Sequence, residues 1–193
     1  VGVRPYRRLP RPPGQPDDGR GAFRQGLALE SILLELVAPA ARLLGEQWLA
    51  DLRSFTEVCA GLGTLQQIVH ILGPSFAPAL PHRGLVVLVA APGEQHTLGL
   101  YLVGEFLRRA GWGVQVSPSM SEPELLHLVA SEPVKLLGIS VSNEQLLKPL
   151  ARLISAVRTC NPALTVMLGG SLDLADYAAQ NGVTLCADDP REA

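Results

Sequence analysis

The sequence predicts an α/β protein: a small amino-terminal helical bundle, then a five-stranded parallel domain of the flavodoxin/Rossmann-like class. Residues 84–193 alternate short apolar strands with helical stretches, the rhythm of right-handed βαβ crossovers. Residues 23–72 show helical periodicity only. The third observation is length. At roughly 100–200 residues per domain, 193 residues allow one large or two small domains. A (β/α)₈ barrel with further domains is excluded, since that barrel alone takes about 250 residues.

In chain order, residues 1–22 come first, a Pro/Arg-rich arm. Six Arg and two Asp fall in the first 24 residues, with Pro5, Pro10, Pro12, Pro13 and Pro16 among them and little to bury. That composition predicts an extended or disordered arm. The chain starts at Val1, so a trimmed upstream segment is expected. A first helix follows, with Leu27, Ile32, Leu33, Leu36 and Val37 on one face. Pro39 is expected to end it and open a second helix carrying Leu43, Leu44 and Trp48. Ser54 and Glu57 match a capping box for a third helix through Val58, Leu62, Leu65, Ile68 and Val69. Gly73-Pro74 stops that helix, and residues 73–83, with three prolines, read as a linker.

The strand positions are residues 85–91, 113–116, 136–141, 164–168 and 183–186. Between them lie helices at 100–109, 122–130, 145–159 and 172–180. The first strand is a continuous apolar run, as suits a parallel strand covered on both faces.

Composition narrows the function classes. The formal net charge is −2, divided into +2 over residues 1–83 and −4 over residues 84–193. With no recognisable helix-turn-helix, that balance argues against DNA as the main partner. No apolar run reaches the length of a membrane span, and no leader pattern precedes the helices. Cys59, Cys160 and Cys186 are too scattered for a disulfide framework or a CxxC zinc site, so a cytoplasmic protein is expected.

In an open α/β sheet the ligand lies outside the carboxyl ends of the strands. The loop after the first strand reads Ala91-Pro92-Gly93-Glu94-Gln95-His96-Thr97-Leu98-Gly99. After the third strand comes Ser140-Val141-Ser142-Asn143-Glu144, and after the fourth Gly169-Gly170-Ser171. GxGxxG, GxxxxGK[ST] and GxSxG are all absent, which removes the dinucleotide, phosphate-loop and nucleophile-elbow readings. A phosphoacceptor site fails as well, because Glu94 stands alone and the third strand ends in Ser140-Val141-Ser142.

Glu94-x-His96-x-x-Gly99, the Ser140 loop and Gly169-Gly170 resemble the cobalamin-binding domain, marked by DxHxxG, SxL and GG at these same loops. The resemblance implies that His96 is the lower axial ligand to cobalt, replacing the nucleotide base, whose tail is buried against the sheet. A neutral imidazole suits cobalt, and a carboxylate two residues earlier orients it. Gly99, Ser140, Gly169 and Gly170 are then small to admit the tail. Two departures stand out. Glu94 is one methylene longer than the family Asp, and Ser142 replaces the Leu of SxL, implying a more polar tail pocket.

Gly45-x-x-Trp48-x-x-Asp51-x-x-x-Phe55-x-x-Val58, with Gly61-Leu62-Gly63-x-Leu65-Gln66, resembles the helical module of one regulatory branch. That branch comprises cobalamin-binding antirepressors of photosynthesis genes, the AerR/PpaA type, related to the haem-binding SCHIC module of the AppA antirepressor. The stretches PGEQHTLG and RRAGWGV are similar to it too. The resemblance implies a regulator, not an enzyme, that opposes a PpsR/CrtJ-type repressor by protein contact and senses light or redox through its tetrapyrrole. Trp48 would lie over the upper corrin face, or else in the bundle core, with Cys59 near that face. A haem sensor and a corrinoid methyl carrier remain alternatives.

Overall fold

The computed structural model describes residues 29–73 and 83–186. The arm at 1–22 and most of the linker lie outside the described residues. The first helical stretch comprises α1 (Leu29–Ser31), a π turn (Ile32–Val37) and α2 (Ala38–Leu49), joined without a break. This corrects the expectation of two helices separated at Pro39. In an α-helix the proline ring collides with the carbonyl four residues back. Here the turn before it is widened, with the Ala38 N–H donating to the Leu33 carbonyl five residues back, so the chain passes Pro39 while staying helical.

Residues 50–54 reverse the chain into α3 (Phe55–Leu72). The expected capping box is present: the Ser54 hydroxyl accepts from the Glu57 N–H at 3.3 Å, and the Ser54 N–H donates to Glu57 Oε2 at 2.9 Å. The two arms form an αα-hairpin in which Leu44 lies against Gly61.

The second half comprises β1 (Leu85–Ala90), α4 (Leu98–Arg109), β2 (Gly113–Val116), α5 (Glu122–Ser131) and β3 (Val134–Ser140). There follow a 3₁₀ turn (Glu144–Leu146), α6 (Leu147–Cys160), β4 (Thr165–Gly169), α7 (Ala175–Asn181) and β5 (Thr184–Leu185). All pairings are parallel, in the order β2-β1-β3-β4-β5. The fifth strand is two residues shorter than expected. The third begins two residues earlier, because Val134 pairs with Leu85.

The β1 side chains alternate between two cores, as a strand covered on both faces requires. Val87, Val89 and Ala91 pack with Leu125 and Val129 of α5 and Leu150, Leu153, Ile154 and Val157 of α6. Leu174 and Tyr177 place α7 on that same face. Val86 and Leu88 point the other way, onto Leu100 and Leu107 of α4. The outer face of α4 holds the hairpin: Leu102 and Phe106 join Leu29, Ile32, Leu33, Val37, Val69 and Leu72 in one buried cluster. The two halves are therefore joined by a continuous apolar contact along α4.

Candidate functional site

The sheet order reverses between β1 and β3, and the loops leaving these strands meet at that switch point. Ala90, Ser140 and Gly169 lie side by side at the carboxyl ends of β1, β3 and β4. The Ala91 N–H donates to the Ser140 carbonyl and the Val141 N–H to the Gly169 carbonyl, so the three loops leave the sheet in step. A turn over Ala91-Pro92-Gly93-Glu94 then closes with the Glu94 N–H on the Ala91 carbonyl at 2.8 Å. Pro92 suits its second position, and Gly93 supplies the positive φ of 91° that its third demands.

That turn delivers Glu94 inward, and its side chain is only 2% exposed. One carboxylate oxygen, Oε1, accepts from the backbone N–H groups of Gln95 and His96, both at 2.8 Å, and lies 2.7 Å from His96 Nδ1. The other, Oε2, accepts from the Ser142 N–H at 2.6 Å and the Ser142 hydroxyl at 2.7 Å. Burial pushes this carboxyl up, but the bonds from the His96 backbone, the Ser142 hydroxyl, the His96 ring and the Ser142 backbone outweigh it. The result is a pKa of about 2. An ionised carboxylate has no proton to give, so Nδ1 carries the hydrogen. In the neutral imidazole the lone pair is then on Nε2, the nitrogen these bonds leave free, on a side chain 76% exposed.

The longer Glu94 strengthens the support behind His96 rather than weakening it. Its extra methylene carries the carboxylate to Ser142, whose hydroxyl also lies 2.8 Å from His96 Nδ1. Ser142 thus turns toward the Glu94–His96 pair. Gly170 also has a steric role within the loops. At φ 152°, a Cβ there would fall 1.7 Å from the Val141 carbonyl oxygen, so this glycine lets two loops touch. At Gly99 nothing lies within 4 Å of where a Cβ would be.

Ser140 Oγ is buried without a hydrogen-bond partner, between Ala90 and Gly169. An outward imidazole nitrogen, an open glycine three residues later and an unsatisfied hydroxyl fit a flat ligand with a nitrogen-seeking metal and an appended polar tail. Among the described residues no cluster of three or more His, Cys, Asp or Glu side chains offers a second metal site.

The helical module borders this space. Gln66 Nε2 donates to Thr97 Oγ1, beside His96, at 3.1 Å. Phe55, Cys59, Leu62 and Gln66 recur at helical spacing on one stripe of α3. At 1.5 Å per residue, Cys59 stands about 10 Å and Phe55 about 16 Å beyond Gln66, past the strand ends. Trp48 packs on Phe55 with ring centroids 6.4 Å apart and stays 47% exposed, outside the buried clusters, so it is not a bundle-core residue. His70 and His127 are exposed and distant in sequence from these loops, while His82 is outside the described residues. The role of Ser142 and the Gln66–Thr97 contact were missed from sequence. The signal for the first was the longer acid at position 94, which needs a partner farther away.

These features define a ligand cradle of the B12-binding type, and residues 84–190 match the family model described as "B12 binding domain". The chain belongs to that family. Among its relatives is an "Uncharacterized 20.5 kDa protein in bchF-crtJ intergenic region" of Rhodobacter capsulatus. It is 26% identical over 167 residues, which cover 83% of this chain and 87% of that protein. The fold is similar to that of the Methanosarcina barkeri monomethylamine corrinoid protein, with a TM-score of 0.75 at 17% identity, covering 90% of this chain and 84% of the other. It also resembles a cobalamin-binding protein from Desulfitobacterium hafniense, with a TM-score of 0.53 at 18% identity, covering 89% and 87%. No described helix is long and apolar enough to cross a membrane.

Proposed function

We propose that this chain is a cobalamin-dependent sensory regulator that acts by protein contact, as an antirepressor toward a PpsR/CrtJ-type repressor of photosynthesis genes. The observation that carries the cofactor assignment is His96: its Nδ1 is engaged by Glu94 and Ser142, and its Nε2 is presented outward at the switch point. Ser140 and Gly99 would receive the nucleotide tail, while Trp48 and Cys59 would border the upper side. A bound cobalamin supplies a cobalt centre whose upper ligand exchanges or is lost in light. The chain supplies a lid beside that face, and a ligand shifts such a lid only through unequal contact with its two positions.

Support for the regulatory half comes from the helical-module resemblance and from the relative in the bchF-crtJ interval. The second gene of that pair carries the name of the repressor class which the resemblance implies. Net charge and the absence of a helix-turn-helix favour a protein partner over DNA. The reading is tested by reconstituting the full chain with hydroxocobalamin, in the dark and after illumination, and measuring binding to the repressor. Light-dependent or redox-dependent association supports it; association indifferent to cobalamin overturns it.

A methyl carrier is the second reading, favoured by the likeness in fold to the monomethylamine corrinoid protein. Methyl turnover with a partner methyltransferase and a reducing activator would select it. An absorption spectrum separates both readings from a haem sensor, whose Soret band is distinct from corrin bands.

A further inference from the structure

The hairpin is fastened to α4 unevenly. At its foot, Glu105 of α4 is 5% exposed and lies against Gly73, the residue that ends α3. A Cβ on Gly73 would fall 2.2 Å from Glu105 Oε2, so only glycine fits there without displacing the carboxylate. Oε1 of Glu105 pairs with Arg108, which also donates to the Val114 carbonyl at 3.2 Å and so ties the foot to β2. Its Oε2 is buried with no hydrogen-bond partner. Burial pushes this carboxyl up, against the pull of Arg108 and His70. Close by, Arg109 pairs with Glu30 at 3.2 Å, and the cluster around Leu33, Val69, Leu72 and Phe106 is buried.

Midway along α3, Leu65 and Ile68 pack with Leu98 and Tyr101 on the margin of that cluster, and beyond them the hairpin is held lightly. Leu49, Leu52 and Phe55 are 81%, 73% and 67% exposed at the hairpin turn. Among the described residues, one neutral side-chain hydrogen bond crosses from the hairpin to the α/β half, Gln66 to Thr97. Thr97 is the residue after His96 and stands at the N-cap position of α4, with no side-chain cap bond. Because Gln66 is level with Thr97 and Gly73 with Glu105, α3 runs alongside α4 in the same direction, with its firm end away from the ligand loops.

We infer that the hairpin is a lid hinged at its foot on the Glu105–Gly73 contact and latched beside His96 by the Gln66–Thr97 hydrogen bond. Gln66 is then a positioning residue that couples the lid to the His96 loop. The deep foot contact fixes the axis, and the Gln66–Thr97 bond is the polar tie at the margin of the part that opens and closes. This mechanical assignment stands on the apo protein; only its ligand arm rests on the cobalamin reading.

The test is a pair of distance measurements on the full chain by pulsed electron resonance. Spin labels are carried on keto side chains, so that the three cysteines stay. One pair, at Leu52 and His127, reports the tip; the other, at Glu35 and His127, reports the foot; all three positions are exposed. Gln66→Ala is expected to raise the population of long tip distances about two- to tenfold, the weight of one neutral hydrogen bond, with the foot pair unchanged. Gln66→Glu, which still accepts from the Thr97 hydroxyl, is expected to restore the narrow tip distribution. Gly73→Ala is expected to displace the foot pair. An unchanged tip pair in Gln66→Ala overturns the latch, and movement of both pairs together overturns the hinge. Hydroxocobalamin added to the wild type is expected to shift the tip pair alone. If His96→Ala leaves the hydroxocobalamin spectrum unaltered while Gln66→Ala still opens the tip, His96 ligation falls and the hinge stands. If binding depends on His96 and the tip does not respond to Gln66→Ala, the hinge falls by itself.

Discussion

Glu94 has the most connected side chain of the site, and its acidity makes pH a probe of the folded loops. Its pKa lies at about 2 against an ordinary 4.5, so the folded state favours the ionised form. The corresponding stability is complete above about pH 4.5 and is lost as pH falls through the window down to about 2. Denaturant titrations across that window are expected to show the wild type losing its advantage over Glu94→Gln as the pH drops. Ser142→Ala removes a hydroxyl donor to a buried carboxylate and is expected to cost about 1.5–3 kcal/mol in the same assay. The Glu94-x-His96 pair was legible because its members are two residues apart. Ser142 was not, since its contact with Glu94 spans 48 positions and depends on how two parallel strands align.

At the scale of elements, local signals and packing made different demands on the chain. The capping box at Ser54 and Glu57 is a local device, and it was read correctly because both partners lie within four residues. Ser54→Ala is expected to destabilise the chain by about 1 kcal/mol in urea unfolding. Pro39 misled, because a missing N–H is a local signal while the π turn that accommodates it is held by tertiary packing of Ile32, Leu33 and Val37. Leu33 is 1% exposed in that cluster, so Leu33→Ala is expected to cost about 2–5 kcal/mol. The five strands were legible from their apolar runs. Their ends moved where pairing with a neighbour, rather than hydropathy, sets the limit, by two residues at Val134 and by one at Val183.

The whole molecule combines a cradle at the carboxyl ends of the strands with a hairpin anchored along α4. The division of charge has a structural counterpart, because the net −4 belongs to the half that carries the ligand loops. What could not be read from sequence was how the two halves meet. The apolar face of α4, Leu102 and Phe106, looks like any buried helix face until the hairpin is seen on it. Cofactor binding turns on a single nitrogen, and the direct measurement is the absorption spectrum of hydroxocobalamin bound to the wild type and to His96→Ala. With His96 as a ligand, the wild-type spectrum is expected to be shifted from that of free hydroxocobalamin, and the shift to be lost in His96→Ala at equal folded content. Identical spectra for the two proteins would contradict it.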